Sequence, residues 1–419
     1  PPSPLTQQFD RVGGKFRKNF KSYVQYAAPY SQEQFLATFD SRRRALYEKA
    51  FESLRGLRFS KTWAKVKFFV KCEKTNFTAK SDPVPRGISP RDIKYNCLLG
   101  PFVKRIEKQI CKIVSKVFGT RTIFKGLNAS SSGEHLRAHW DHFCDPVAIP
   151  LDASRFDQHV SKQALQYEHS FYKMFYHGRE LSELTALLKL QEVNHGVSYL
   201  PDGIIKFVLD GGRMSGDMNT GLGNCLLMCA MMYSYMDHLG MSTAQYRLAN
   251  NGDDCVLIVE RNVHRRVVNK IPDFFLTLGF EMEVGAPVDV FEKIEFCQTQ
   301  PVWAGDGWMM MRQFPVSLAK DCLSLKPLDN VKVFKRWCAS IGDCGMALTG
   351  GMPIAQEFYT ALKRVAGGAK PLVGDMTLES GFARLAVGMN RRYKHVTNET
   401  RVSFWRAFDI PPDRQIAYE

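Results

Sequence analysis

The chain has 419 residues, a formal net charge of +15, and 45% hydrophobic and 24% charged residues. This length predicts one large multi-lobed unit or two to three domains, and the clustered basic residues favour a nucleic-acid partner over a membrane surface or an evenly spread charge. Its 11 cysteines, without any C-x-x-C pair, argue against a disulfide framework and against a zinc ribbon.

The first part of the chain is predicted to contain helices, short strands and one stiff loop. Residues 1–21 are basic, contain Pro and Gly, and are typical of a mobile lead-in. Helical periodicity over 31–54, with Ser31 as the N-cap, predicts a helix. Alternation over 65–71 predicts a strand, and three prolines predict an extended loop over 81–91. Further predictions are helices over 102–118, 162–176 and 181–193, and a strand over 147–151.

The second part is predicted to place a long helix between a glycine-rich loop and a strand pair. The loop covers 211–216, and the helix ends near Leu239. Two strands, 246–248 and 256–260, flank a tight polar turn. No repeat and no linker divides the chain, so we expect lobes that share interleaved segments. The remaining predictions are a helix over 263–278, a strand over 294–298 and a mostly helical region over 320–419.

The sharpest signal for chemistry is the run Asn251-Gly252-Asp253-Asp254, which an apolar stretch follows. Asn-Gly favours a hairpin turn, and such a turn would hold both carboxylates in one place. Two adjacent acids are unfavourable unless a cation compensates them. Taken alone, the motif is explained equally well by an ordinary Asp-rich turn.

A second acidic position strengthens the interpretation as a metal site. Asp152 comes at the end of the apolar strand predicted over 147–151, and Asp157 follows it. The end of a buried strand is a poor structural position for an acid but a good one for a metal ligand. Asp152, Asp253 and Asp254 therefore predict a site for two Mg²⁺ ions, which phosphoryl transfer uses at a separation of about 3.5–4 Å.

Polar residues between the two acidic positions suggest sugar recognition. Thr220 and Asn224 are four residues apart and share one helix face, and Ser215 lies in the loop before that helix. Together they would present two hydroxyl groups and an amide to a ribose. A glycine-rich turn with a helix N-cap is the simpler alternative.

A basic segment lies upstream of the first acid. Lys65, Lys67 and Lys71 share one face of the predicted strand, and Arg86 and Arg91 follow on the proline-rich loop. These cations could neutralise a triphosphate and its pyrophosphate product. The usual alternative is a charged face that is exposed to solvent. The apolar residues Phe68, Phe69 and Val70 within the segment make this alternative less suitable.

The order of these elements resembles viral RNA-dependent RNA polymerases, most closely those of the tombusvirus and carmovirus group and their umbravirus-like relatives. Residues 151–159, 213–224, 251–254 and 292–298 are similar to palm motifs A, B, C and E, and 65–91 to finger motif F. The resemblance implies an α+β fold in the form of a closed right hand, with an antiparallel palm sheet that carries the catalytic acids. It also implies replication of a positive-strand viral RNA genome by addition of NTPs to an RNA 3′-hydroxyl, with release of pyrophosphate.

The resemblance also implies a division of the chain and a role for each site residue. Asp152 and Asp253 would bind both Mg²⁺ ions, for which Mn²⁺ can substitute, and Asp254 would support them. The implied divisions are 1–60 (N-terminal extension and fingers), 61–145 (fingers with motif F), 146–170 (palm motif A), 171–210 (fingers), 211–300 (palm motifs B to E) and 301–419 (thumb). The other implied contacts are Asp157, Ser215, Thr220 and Asn224 to the ribose 2′-hydroxyl, Lys65, Lys67, Lys71, Arg86 and Arg91 to the phosphates, and Phe296, Cys297 and Gln298 to the primer end.

The partners that the resemblance implies are template RNA, nascent RNA, NTPs, an upstream viral replicase protein and host factors. The expected location is the host cytoplasm at membrane-associated replication complexes, through regions outside this chain, because the longest apolar stretch, 225–236, is too short to span a bilayer. One departure concerns motif D, where residues 279–292 contain no Lys, Arg or His. The general acid that protonates pyrophosphate is therefore not assigned.

Three alternatives stay open from the sequence. A reverse transcriptase shares the paired acids, but the polar residues assigned to the ribose favour RNA. A non-enzymatic RNA-binding protein would explain the charge, but not three acids in a basic chain. A zinc site is conceivable, although such histidines more often pack or are solvated; its ligands would be His135, His139, His142 and Cys144.

Overall fold

The computed structural model describes residues 1–74, 83–372 and 385–419. Parts of two predictions lie outside the described residues, namely 75–82 of motif F with the start of its proline-rich loop, and 373–384 of the thumb. The described residues form a mixed α+β fold, as predicted. Among them, no helix combines the length and the apolar character that crossing a bilayer requires.

A four-stranded antiparallel sheet, here called the central sheet, holds the predicted acids. Its strands in spatial order are Tyr246–Asn250, Asp254–Glu260, Pro146–Ala153 and Met282–Val284. The two inner strands are buried on both faces, which explains their continuous apolar runs. In strand Asp254–Glu260, alternate residues therefore pack into different hydrophobic clusters on the two faces of the sheet.

The strand predicted over 65–71 is wrong as a single element, because it divides at Phe68 into two pieces. Val66–Lys67 pairs in parallel with Val193–Leu200, whereas Phe69–Val70 pairs antiparallel with Gly87–Ile88. The predicted helix over 181–193 ends at Lys189, and the hairpin that follows was not predicted. Its strands are Val193–Leu200 and Gly203–Asp210. A second unpredicted hairpin joins Thr299–Trp303 to Trp308–Arg312.

Most of the predicted helices are present, with shifted ends. Helix Ile93–Phe118 begins earlier than predicted and tolerates Pro101 within it. The long helix after the glycine-rich loop is Thr220–His238, and helix Val331–Thr349 in the C-terminal region buries Trp337, Cys338 and Met346 among other residues. The other helices are Gln8–Lys21, Gln32–Leu36, Ser41–Leu54, Ala129–Trp140, Phe156–His159, Lys162–Lys173, Gly178–Lys189, His264–Val268, Ile271–Thr277, Phe314–Asp321, Ala355–Ala366, Asn398–Phe408 and Pro412–Tyr418, with 3₁₀ helices at Lys61–Ala64 and Phe291–Lys293.

The N-terminal segment is ordered, so the prediction of a mobile lead-in over 1–21 is wrong. Helix Gln8–Lys21 buries Phe9, Phe16 and Phe20 in the largest hydrophobic cluster. These aromatic residues recur at helical spacing, and their burial outweighs the basic character of the segment. The hydroxyl of Tyr167 donates a hydrogen bond of 2.9 Å to the carbonyl oxygen of Gly13, which fixes the helix against the rest of the fold.

Two predicted helices are each divided in two by local signals. In the segment 31–54, Ser31 caps Gln32–Leu36 as predicted, but a second helix begins after Asp40, whose side chain accepts from the Arg43 backbone N–H. In the segment 263–278, Pro272 lies in the first turn of the second helix, Ile271–Thr277. Proline has no N–H to donate, so it suits a helix start and interrupts a continuous helix.

Candidate active site

Asp152 and Asp254 lie side by side at one end of the central sheet. The antiparallel register pairs Asp152 with Asp254 on one side and with Glu283 on the other. Asp253 comes directly before its strand, in a turn closed by a 2.9 Å hydrogen bond from the Asn251 N–H to the Asp254 carbonyl oxygen. The fold therefore brings Asp152 beside two adjacent acids, Asp253 and Asp254, that lie far from it in the sequence.

The turn that carries Asp253 is held by a buried asparagine and a glycine. Asn250 is fully buried, and its Nδ2 donates to the Gly252 carbonyl oxygen at 2.8 Å. Gly252 has a φ of 98°, which side chains rarely adopt. A Cβ atom at Gly252 would lie 3.6 Å from Cβ of Asn224, so the predicted ribose contact lies directly beside this turn.

The electrostatics of the three acids favour a bound cation. The pKa of Asp254 is raised to about 7, mainly by burial, and the neighbouring carboxylates Asp253 and Asp152 contribute in the same direction. The backbone N–H of Cys297 donates to Asp254 Oδ2 at 2.8 Å, and this hydrogen bond lowers the pKa of Asp254. A divalent cation would compensate this concentration of negative charge, so the residues present fit the predicted metal.

The carboxylates do not form a closed metal cage by themselves. Across residues 1–74, 83–372 and 385–419, no three His, Cys, Asp or Glu side chains are close enough together to hold a metal ion. Mg²⁺ commonly uses one or two protein carboxylates and takes its other ligands from water and substrate phosphates. An open set of acids is therefore compatible with a metal that binds together with a nucleotide.

The segment assigned to the primer end is a tight turn, so the predicted strand over 294–298 is wrong. Phe296 and Thr299 exchange two backbone hydrogen bonds of 2.9 and 3.0 Å. Between them, Cys297 and Gln298 have φ values of 53° and 58°. Positive φ at both central residues is typical of a type I′ hairpin turn. This turn places the Cys297 N–H against Asp254.

The structure brings Asp157 and Asn224 into direct contact. Asn224 Nδ2 donates to Asp157 Oδ1 at 2.8 Å. Ser215 Oγ accepts from the Ser89 backbone N–H at 3.0 Å, which leaves its hydroxyl proton available to a ligand. Thr220 Oγ1 instead donates to the Met214 carbonyl oxygen at 2.6 Å and so braces the loop before the helix. Burial raises the pKa of Asp157.

A buried ion pair next to these residues was not predicted from the sequence. Arg213 and Glu168 form an ion pair in which both side chains are 0% exposed. Arg213 Nε also donates to Asn224 Oδ1 at 3.0 Å. The hydroxyl of Tyr172 donates to Glu168 Oε1 at 2.6 Å. An arginine inside a glycine-rich loop was a signal for such a pair, but its partner could be found only from the fold.

The cations of the basic segment have different environments. Lys65 and Lys67 are exposed, whereas Lys71 and Arg86 both pair with Glu73, the former at 3.0 Å. The hydrogen bond from Arg86 is the main cause that lowers the pKa of Glu73 to about 2. Lys71 directly follows strand Phe69–Val70 and Arg86 directly precedes its partner strand Gly87–Ile88, whereas Lys67 belongs to strand Val66–Lys67.

The predicted contact of Arg91 with phosphate is wrong, because the Arg91 side chain is buried in an ion pair with Asp217. Its Nη1 donates to the Ala64 carbonyl oxygen at 2.6 Å, and its Nη2 donates to Asn194. The pair joins the end of the basic segment to the loop that holds Ser215. Arg91 is therefore placed to position this loop, not to contact a ligand.

The alternative zinc site receives no support. Burial lowers the pKa of His139 to about 3, and this ring contacts the Thr120 hydroxyl. His142 Nε2 contacts the Ala244 carbonyl oxygen at 2.9 Å. In the described parts of the chain, neither these histidines and Cys144 nor any other three His, Cys, Asp or Glu side chains are gathered closely enough to hold a metal ion.

Replacing Gly223 by Ala is expected to destabilise the protein by about 1–3 kcal/mol, because the new methyl group overpacks the buried ion pair. A Cβ atom there would lie 2.3 Å from Glu168 Oε1 and 2.6 Å from Arg213 Nη2. The measurement is the free energy of unfolding in urea. Gly14→Ala is the matched control: it lies in helix Gln8–Lys21 with nothing within 4 Å of its Cβ position, and should stabilise by about 0.4–1 kcal/mol. Equal effects of the two changes would contradict this account.

Comparison with known proteins identifies the family. A family model described as viral RNA dependent RNA polymerase matches residues 1–419, which is the whole chain. The chain belongs to the viral RNA-dependent RNA polymerase family. The predicted resemblance to this family is therefore confirmed.

Three relatives illustrate the similarity, and each is named RNA-directed RNA polymerase. That of Tobacco necrosis virus (strain A) is 42% identical over 423 residues, covering 100% of this chain and 57% of the relative. That of Melon necrotic spot virus is 41% identical over 421 residues, covering 100% and 52%. That of Turnip crinkle virus is 40% identical over 422 residues, covering 100% and 53%. The chain thus spans about half the length of these polymerases.

Proposed function

We propose that this chain is the polymerase part of a viral replicase, and that it copies a positive-strand RNA genome by adding NTPs to an RNA 3′-hydroxyl. The observation that carries the proposal is the pairing of Asp152 with Asp254 beside Asp253, at one end of the central sheet, in a chain of this family. Such an open group of carboxylates suits nucleotidyl transfer with release of pyrophosphate.

Asp152 and Asp253 are proposed to hold two Mg²⁺ ions, with Asp254 in support, and Mn²⁺ can substitute. When bound, the two ions would activate the attacking 3′-hydroxyl and stabilise the leaving oxygen. The neighbouring turn at Cys297 fixes the orientation of Asp254 through its backbone N–H. Together with Phe296 and Gln298, this turn is proposed to hold the primer end beside the acids.

Lys65, Lys67, Lys71 and Arg86 are proposed to hold the NTP phosphates. The hydrogen bond to Glu73 is the largest cause that raises the pKa of Arg86, and Asp253 contributes to it. That contribution supports a position of Arg86 within electrostatic reach of the acids, where the triphosphate would lie. Asp157, Ser215 and Asn224 are proposed to contact the ribose 2′-hydroxyl, and Thr220 to brace their loop.

A closed right hand is the proposed arrangement of the chain, with the fingers, palm and thumb divided as the sequence implied. One contact supports closure: Lys74 Nζ, from the proposed fingers, donates to the Lys320 carbonyl oxygen of the proposed thumb at 2.8 Å. Lys320 Nζ in turn lies 3.3 Å from Gln298 Oε1 in the primer-end turn. These contacts join three regions that are separate in the sequence around one site.

The proposed partners are template RNA, nascent RNA, NTPs, an upstream replicase protein and host factors. The net charge of +15 supports contact with RNA. The proposed location is the host cytoplasm, at membrane-associated replication complexes reached through regions outside this chain.

Incorporation of labelled UTP on a poly(A) template with an oligo(U) primer tests the proposed function. We expect incorporation that depends on template and on Mg²⁺ or Mn²⁺, and that chelation by EDTA stops. Parallel reactions with dTTP distinguish a reverse transcriptase, which would prefer the deoxynucleotide. RNA binding without incorporation under both metals would favour the non-enzymatic RNA-binding alternative and contradict the proposal.

A further inference from the structure

We infer that Glu168 and Arg213 are positioning residues that set the preference for ribonucleotides by fixing the orientation of the Asn224 amide. The inference deepens the proposed function and rests on it. Neither residue is among the proposed ligand contacts, and both are completely buried. They would act through Asn224 without touching the nucleotide.

The Asn224 amide is held at both of its ends. Arg213 Nε donates to Asn224 Oδ1 at 3.0 Å, and Asn224 Nδ2 donates to Asp157 Oδ1 at 2.8 Å. A guanidinium group can only donate and an ionised carboxylate can only accept. These two partners therefore allow one orientation of the amide, with its NH₂ group toward Asp157. A ribose 2′-hydroxyl beside this pair would meet a defined donor and a defined acceptor.

Arg213 is itself held in place by several contacts. Glu168 accepts from its guanidinium group, and also from the Tyr172 hydroxyl at 2.6 Å and from Asn219 Nδ2 at 2.9 Å. The Arg213 backbone N–H donates to the Asp157 carbonyl oxygen at 2.8 Å. One residue thus fixes both the backbone of Asp157 and the amide of Asn224.

A buried ion pair is weak evidence for stability, because desolvation offsets much of its attraction. Its value as a positioning device is greater, since a planar guanidinium group donates in fixed directions. A lysine could keep the charge beside Glu168 but could not reproduce both directions. Arg213→Lys therefore separates the charge of the pair from the orientation that it gives to Asn224.

The test compares UTP with 2′-deoxy-UTP for the wild type, Arg213→Lys, Asn224→Ala and the double variant. Both kcat/KM on the primed poly(A) template and equilibrium affinity for the two nucleotides in the RNA-bound enzyme are measured. We expect Arg213→Lys to reduce the preference for UTP over 2′-deoxy-UTP by at least about tenfold, mainly because kcat/KM for UTP falls. In the Asn224→Ala background, the same change should have little further effect, because the group through which it acts is gone.

Controls separate positioning from a general loss of structure. Arg179→Lys changes an exposed ion pair with Glu183 and should leave the preference unchanged. Thermal unfolding shows which variants are folded, and Glu168→Asp, which keeps the charge but shortens the side chain, replaces Arg213→Lys if that variant does not fold. Equal losses for both nucleotides, or an undiminished effect in the Asn224→Ala background, would overturn the inference. If the wild type binds UTP selectively without polymerising it, the proposed function fails, and the binding preference of the variants still decides the inference.

Discussion

Asp253→Ala is expected to reduce UTP incorporation by at least about a thousandfold while RNA binding stays near the wild-type level. The carboxylate is a proposed ligand of both metal ions, whose stabilisation of the transition state amounts to several kcal/mol. The side chain belongs to the turn before strand Asp254–Glu260, and the basic residues that would contact RNA are unchanged. The measurements are single-turnover incorporation and RNA affinity at the same salt concentration.

The matched control is Asp202→Ala, which removes an exposed acid from the turn between strands Val193–Leu200 and Gly203–Asp210. It should incorporate UTP at the wild-type rate. Wild-type activity in Asp253→Ala would remove this residue from the mechanism. Parallel loss of RNA binding and of the folded state would show that the turn serves structure instead.

Phe16→Ala is expected to lower the free energy of unfolding by about 3–5 kcal/mol, the usual cost of truncating a buried aromatic residue. Phe16 is 0% exposed, and its ring lies 5.7 Å from that of Phe171 and 5.4 Å from that of Tyr233. These contacts join the N-terminal helix to two other helices of the largest core. The measurement is urea unfolding followed by tryptophan fluorescence and circular dichroism.

Phe59→Ala is the matched control, because this phenylalanine is 50% exposed. We expect its effect to stay within about 0.5 kcal/mol, as for most surface substitutions. A similarly small effect of Phe16→Ala would mean that the N-terminal helix is dispensable, which is what the prediction of a mobile lead-in required.

The sequence was most informative where one local pattern had one structural solution. The apolar run before Asp152 predicted one strand of the central sheet, and the polar turn around Gly252 predicted the two strands that it connects, because a buried strand and a tight turn each have strict residue requirements. The N-terminal helix was missed because its basic residues were given more weight than the spacing of its aromatic residues. The turn at Cys297 was missed because two non-glycine residues adopt positive φ there.

The family and the residue types of the candidate site were determined by the sequence itself, since motif order and spacing are properties of the chain. Only the tertiary structure decided which side chains meet. In the structure, Arg91 pairs with Asp217 and is therefore not available to bind phosphate. Arg213 contacts both Glu168 and Asn224. The physical reason is that a buried charge requires a partner, and that partner is selected by proximity in three dimensions, which local sequence patterns do not encode.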